Sequence, residues 1–127
     1  KDAESINKAY NSDNQNIPDI TQLTSIQWID SVKQFGSIRE GEKIMLSFRF
    51  KNTGSKPLII ETVNPGCGCT VAEMPNAPIA AGAESEIKAA FDSKGRPGAT
   101  YKTIEVTCNT ETGKYLLSFE GEVIPNK

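Results

Sequence analysis

The chain has 127 residues, 37% of them hydrophobic, with 14 basic against 16 acidic side chains, three cysteines and no histidine. Without imidazole, Ser-His-Asp and Cys-His catalysis and the His-based metal sites are excluded, so a metal would have to be held by thiolate or oxygen. A net charge of −2 with no basic run argues against nucleic acid as a partner, and the length suits one domain with a self-sufficient core.

Residues 1–24 are polar and Asn-rich, with apolar residues too sparse for a buried face, and are expected to form a tether. The alternative is a first element docked on the core through Ile17, Ile20 and Leu23. No stretch nears the ~18 apolar residues of a membrane span, and there is no start Met or signal-peptide apolar segment, which reads as a mature or trimmed chain.

Over residues 25–127 the apolar pattern has period two, with turn signals every eight to twelve residues, as short antiparallel strands produce. A first strand around Ile26, Trp28 and Val32 loses phase near Asp30, which predicts a bulge. In Lys43–Asn52, Ile44, Leu46, Phe48 and Phe50 share one face, while Lys43, Ser47, Arg49 and Lys51 share the other. A turn over Asn52-Thr53-Gly54-Ser55-Lys56-Pro57 feeds the apolar run Leu58–Val63, which Asn64-Pro65-Gly66 ends. Strands follow at Cys69–Met74, at Ser85–Phe91 with Ile87, Ala89 and Phe91 inward, and at Thr100–Asn109 with Ile104, Val106 and Cys108 together. Lys114–Ile124 closes the series, with Tyr115, Leu117, Phe119 and Val123 inward. About seven strands without helical periodicity predict an all-β fold, an immunoglobulin-like antiparallel β-sandwich.

Phe48-Arg49-Phe50-Lys51-Asn52-Thr53-Gly54, Lys56-Pro57-Leu58-Ile59-Ile60, Cys67-Gly68-Cys69-Thr70, Pro78-Ile79 with Gly82, Phe91-Asp92-Ser93-Lys94-Gly95 and Gly121-Glu122-Val123 occur in that order. With Phe35-Gly36-Ser37-Ile38-Arg39-Glu40-Gly41-Glu42 upstream, they resemble the bacterial family called domain of unknown function 1573 over roughly residues 26–124. The resemblance implies an immunoglobulin-like sandwich, similar to hydin-type and major-sperm-protein-type domains. It also implies a secreted, periplasmic or cell-surface protein, with a lipid anchor at the N-terminus as the route to a membrane, of the kind found in Bacteroidetes. It implies no activity, and Cys108 departs from the family pattern.

Cys67-Gly68-Cys69 is the most chemical-looking feature. In an extended strand, Cα atoms two residues apart are nearly 7 Å apart at ~3.3 Å per residue, so a direct disulfide needs Gly68 to curl. The cysteines can be inert thiols at a strand end, can form a disulfide involving Cys67, Cys69 or Cys108, or can hold a metal. If Cys108 lies inward beside Cys69 on a neighbouring strand, those two can pair and leave Cys67 free. Three cysteines cannot complete a zinc site alone, whereas Cu(I) accepts two thiolates, which makes Cys67 and Cys69 its candidate ligands.

Glu40/Glu42, Glu84/Glu86 and Glu120/Glu122 each place two carboxylates on one face, amid Lys, Ser and Gly that suit a solvated surface. Trp28, Tyr101 and Tyr115 are either core cover or a sugar-stacking surface. The expectation is a non-catalytic module without a cofactor, binding another envelope protein through Pro65, Gly66, Cys67, Gly68, Cys69 and Thr70. The alternatives are a periplasmic thiol or copper-handling protein using Cys67 and Cys69, and a surface carbohydrate-binding module.

Overall fold

The computed structural model describes residues 22–126, so the tether expected over residues 1–24 lies outside the described residues up to residue 21, as do Ile17 and Ile20. At its described end, Leu23 is 51% exposed, but the Gln22 carbonyl accepts a hydrogen bond from Asn109 and Thr24 bridges to Thr110. Among the described residues, the chain is thus already attached to the domain at residue 22, through its backbone carbonyl.

Eight strands follow: β1 (Ile26–Trp28), β2 (Val32–Arg39), β3 (Lys43–Asn52), β4 (Ile60–Pro65), β5 (Thr70–Glu73), β6 (Glu84–Asp92), β7 (Gly98–Cys108) and β8 (Lys114–Ile124). They form two four-stranded sheets, ordered β1-β3-β6-β5 and β2-β8-β7-β4. Pairing is antiparallel except between β2 and β8. The alternating strands bury one face each, and Phe48, Phe50, Ile87, Phe91, Ile104, Val106, Leu117, Phe119 and Val123 meet between the sheets. The rings of Phe35, Phe91 and Phe119, from β2, β6 and β8, lie 5.5–6.2 Å apart and join the layers.

The loss of phase near Asp30 is a change of sheet rather than a bulge within one strand. β1 pairs with β3, and the chain then crosses to pair β2 with β8. Asp30 pins this corner to β3, because its carboxylate accepts the Arg49 Nε hydrogen bond at 2.7 Å while Arg49 O accepts from Ile29 N and Asp30 N. The bulge itself lies further along, between Gln34 and Gly36.

Two glycines exist for close approach. A Cβ on Gly54 would fall 2.6 Å from Ser25 N, where the chain before β1 crosses the β3–β4 turn. A Cβ on Gly121 would fall 2.3 Å from the Phe35 ring and 2.7 Å from Gly36 O, so the bare β8 backbone makes room for the ring in the core. Asn52, fully buried at the end of β3, ties the ends of these segments together. Its Oδ1 accepts from Thr24 Oγ1 and Gly54 N, and its Nδ2 donates to Lys56 O and Ile79 O.

Two substitutions check this account by urea denaturation. Asn52→Ala leaves buried donors and acceptors unpaired and is expected to lower stability by about 3 kcal/mol. Gly121→Ala is expected to cost about 2 kcal/mol by displacing Phe35, whereas Gly68→Ala, whose Cβ meets nothing within 4 Å, changes stability by less than about 0.5 kcal/mol.

Candidate functional site

The site is set by where β4 stops. The ladder between β4 and β7 runs from Ile60 opposite Cys108 to Pro65 opposite Ile104, and the last bond is donated by Gly66 N to Thr103 O. There the chain leaves the sheet and crosses through Cys67, Gly68 and Cys69 to begin β5 beside β6 in the other layer. Pro65, which has no N–H, and Gly66 suit that exit.

The crossing is a tight turn closed by Thr70 N donating to Cys67 O at 3.1 Å, and its far side is held by Asp92 N donating to Cys69 O at 2.9 Å. The curl brings the two Cys Cα atoms to 5.2 Å, and Cys67 and Cys69 form a disulfide. Closing a ring across a single residue removes little chain entropy, about 1.6 kcal/mol by the loop-closure relation, half the value for a 15-residue loop. Gly68 is exposed, Cys67 is half-buried and Cys69 is 7% exposed. Cys69 N also donates to Cys67 Sγ at 3.2 Å.

The pairing of Cys69 with Cys108 does not form. Both face the core, yet Cys108 lies at the opposite end of the β4–β7 ladder, four residues beyond Ile104 and so about 13 Å further along at ~3.3 Å per residue. Cys108 is a free thiol, 3% exposed, in contact with Thr110 Oγ1 at 3.8 Å, and burial pushes its pKa up. With Cys67 and Cys69 joined, the loop in this form offers no thiolate to a metal, and no group of three or more Cys, Asp or Glu converges among the described residues.

β7 continues past β4. Gly98–Thr103 pair with Val123–Ser118 of β8 on one side, and no strand among the described residues covers the other. Because Thr103 turns its carbonyl toward Gly66, antiparallel alternation turns the N–H and C=O of Tyr101 and Ala99 to that same vacated side. Between this edge and the loop lies a recess of about 270 Å³ lined by Gly66, Cys67, Tyr101, Lys102 and Thr103. The loop predicted as a contact region thus sits beside a free strand edge that the sequence did not reveal.

The other candidates separate. Trp28 and Tyr115 pack 5.9 Å apart over the core, with Phe50 against Trp28, while Tyr101 is 62% exposed on the outer face of the second sheet. The three rings therefore share no surface. Glu40 accepts from Gly95 N and Asn126 N, Glu42 accepts from Arg39 N, and Glu86 accepts from Ser47 and pairs with Lys88. Glu40 and Glu42 thus brace turns, Glu86 lies on a sheet face, and Glu120 accepts from Gln34 on the second sheet.

No curated protein sequence matches the chain. Among solved structures, a protein of unknown function from Porphyromonas gingivalis W83 is similar with a TM-score of 0.69 at 16% identity, over 86% of this chain and 51% of that one. The ASH / PapD-like domain 7 of human CEP192 is similar with a TM-score of 0.63 at 12% identity, over 83% and 89%. The E. coli chaperone DraB is similar with a TM-score of 0.52 at 11% identity, over 81% and 56%. At such identities the likeness is one of fold, an immunoglobulin-like, PapD-like sandwich, and the chain spans about half the length of the Porphyromonas protein. The family model for Protein of unknown function (DUF1573) matches residues 26–123, which contain both sheets and the Cys67–Cys69 crossing, and the chain belongs to that family.

Proposed function

We propose that the protein is a non-catalytic interaction module of the bacterial cell envelope that binds an extended segment of another envelope protein. Its contact region is the Cys67–Thr70 loop together with the free edge of β7. The observation that carries this reading is the backbone of Ala99 and Tyr101, turned outward where β4 has ended and bordered by the recess beside Cys67. A strand edge with unpaired N–H and C=O groups is a template for another strand, and an incoming segment in line with β4 would extend the sheet. The turn bonds of the loop hold the border of that groove in place, so little ordering cost falls on binding. Envelope location rests on the family resemblance, as does attachment through an N-terminal lipid.

The carbohydrate alternative loses its platform once Trp28 and Tyr115 are committed to the core. The Cu(I) alternative requires the disulfide to be opened first.

A photo-reactive side chain at position 101 is expected to crosslink an envelope protein in living cells, whereas one at Met45, exposed on the outer face of the other sheet, is not. Tyr101→Pro removes an N–H that faces the vacated side and leaves the β7–β8 bonds in place, so it should weaken binding of the captured protein about tenfold while the domain stays folded. Equal capture from positions 101 and 45, or unchanged binding by folded Tyr101→Pro, would overturn the proposal.

A further inference from the structure

We infer that Cys67 and Cys69 form a thiol–disulfide exchange site, with Cys67 as the sulfur that meets the partner. The two sulfurs are not equivalent. Cys69 is nearly buried and in contact with Thr70 Oγ1 at 3.7 Å, whereas Cys67 lines the recess beside Lys102 and has open space next to it for an incoming sulfur. Exchange demands such access and favours a sulfur near hydrogen-bond donors and cations, which hold negative charge on the thiolate. Cys67 has such a donor in the Cys69 N–H at 3.2 Å, and Lys102 is among the residues that line the same recess.

The second observation concerns what holds the loop. Gly66 N to Thr103 O, Thr70 N to Cys67 O and Asp92 N to Cys69 O fix both ends and the turn through backbone alone. The S–S bond encloses one residue and adds little constraint to a turn already closed. Opening it therefore leaves the two sulfurs facing each other, ready to close again, and the strands undisturbed. A cross-link that merely stapled the fold would instead join distant parts of the chain.

The chemistry is balanced by a partner dithiol. A partner thiolate attacks Cys67 Sγ, the Cys67–Cys69 bond breaks, and its electron pair leaves on the Cys69 sulfur, which takes up a proton. The partner's second thiolate then attacks the partner sulfur of the mixed disulfide, and Cys67 leaves as a thiolate and is protonated. The protein disulfide is reduced to two thiols while the two partner thiols are oxidised to a disulfide. The same steps in reverse reduce a partner disulfide. The partner is thus a cysteine-bearing protein segment that enters the recess beside Cys67. The exchange step stands whether or not that segment also adds to β7, because a small thiol such as glutathione suffices to test it.

The folded domain is incubated with defined ratios of reduced and oxidised glutathione, quenched with acid, alkylated and mapped by mass. The Cys67–Cys69 bond is expected to open and close reversibly while circular dichroism stays native and Cys108 stays unlabelled. Cys69→Ser should trap glutathione on Cys67, and Cys67→Ser should trap it on Cys69 at least about tenfold more slowly. A wild-type disulfide that remains closed in excess reduced glutathione, and opens only when the fold is lost, would overturn the inference without recourse to any variant. Equal trapping by the two single variants would overturn the assignment of Cys67.

Discussion

The buried carboxamide of Asn52 is the constraint on which the fold closes. Its two donors and two acceptor positions are all used, by Thr24 from the segment before β1, by Gly54 and Lys56 from the β3–β4 turn, and by Ile79 from the β5–β6 connection. Its backbone adds bonds to Ala83 O and from Gly82 N. Asn109, at the other layer's end of the same pole, donates to Gln22 O and Pro57 O and accepts from Ile59 N. The two side chains bond backbone groups of the β3–β4 connection, which crosses from one sheet to the other. Neither Asp, which lacks the donors, nor an apolar residue can take such a place.

The opposite pole is built on different terms. There Ser93, fully buried, accepts from Gly41 N and donates to Glu42 O, fastening the end of β6 to the β2–β3 turn. At this pole the connection from β4 to β5 has no carboxamide clamp among the described residues and depends on the turn bonds around Cys67–Thr70. It leaves the second sheet early, while β7, β8 and β2 run on toward Gly98, Ile124 and Arg39. The early exit creates the free edge and the recess together. One pole of the sandwich thus spends its polar groups on closure, and the other presents backbone, sulfur and open space.

Much of the fold was legible because period two needs no tertiary information. The inward sets on β3, β6, β7 and β8 follow from alternation in the sequence and are buried as expected. What alternation cannot say is how far along a ladder a residue sits. Cys108 shares the inward face of Ile104 and Val106 as alternation predicts, yet the register of Ile60 with Cys108 and of Pro65 with Ile104 sets it at the pole opposite Cys69. Loss of phase at Asp30 is similarly ambiguous, since a bulge and a change of sheet both shift the pattern by one residue. The β7 edge was invisible for a related reason: it depends on where β4 ends relative to β7, and that is fixed by the crossing to β5. Asn52 stood in the quoted motif before Thr53-Gly54, and a lone Asn ending an apolar strand ahead of a Gly turn is the signal that could have marked it as a buried clamp.

The absence of histidine bears on the sulfur chemistry as well. Thiol–disulfide exchange needs a thiolate and a poised second sulfur, not an imidazole, so it survives the exclusion of Ser-His-Asp and Cys-His catalysis from this chain. A third cysteine would ordinarily threaten such a pair by attacking it and scrambling the bond. Here Cys108 is held back twice. The β4–β7 register keeps it at the far pole, and burial raises its pKa, so the reactive thiolate is disfavoured near neutrality. The odd count of three therefore resolves into a loop pair, open at Cys67 and nearly buried at Cys69, and a protonated core residue, and the same packing that makes Cys108 inert leaves the loop sulfurs free to exchange only with each other or with a partner.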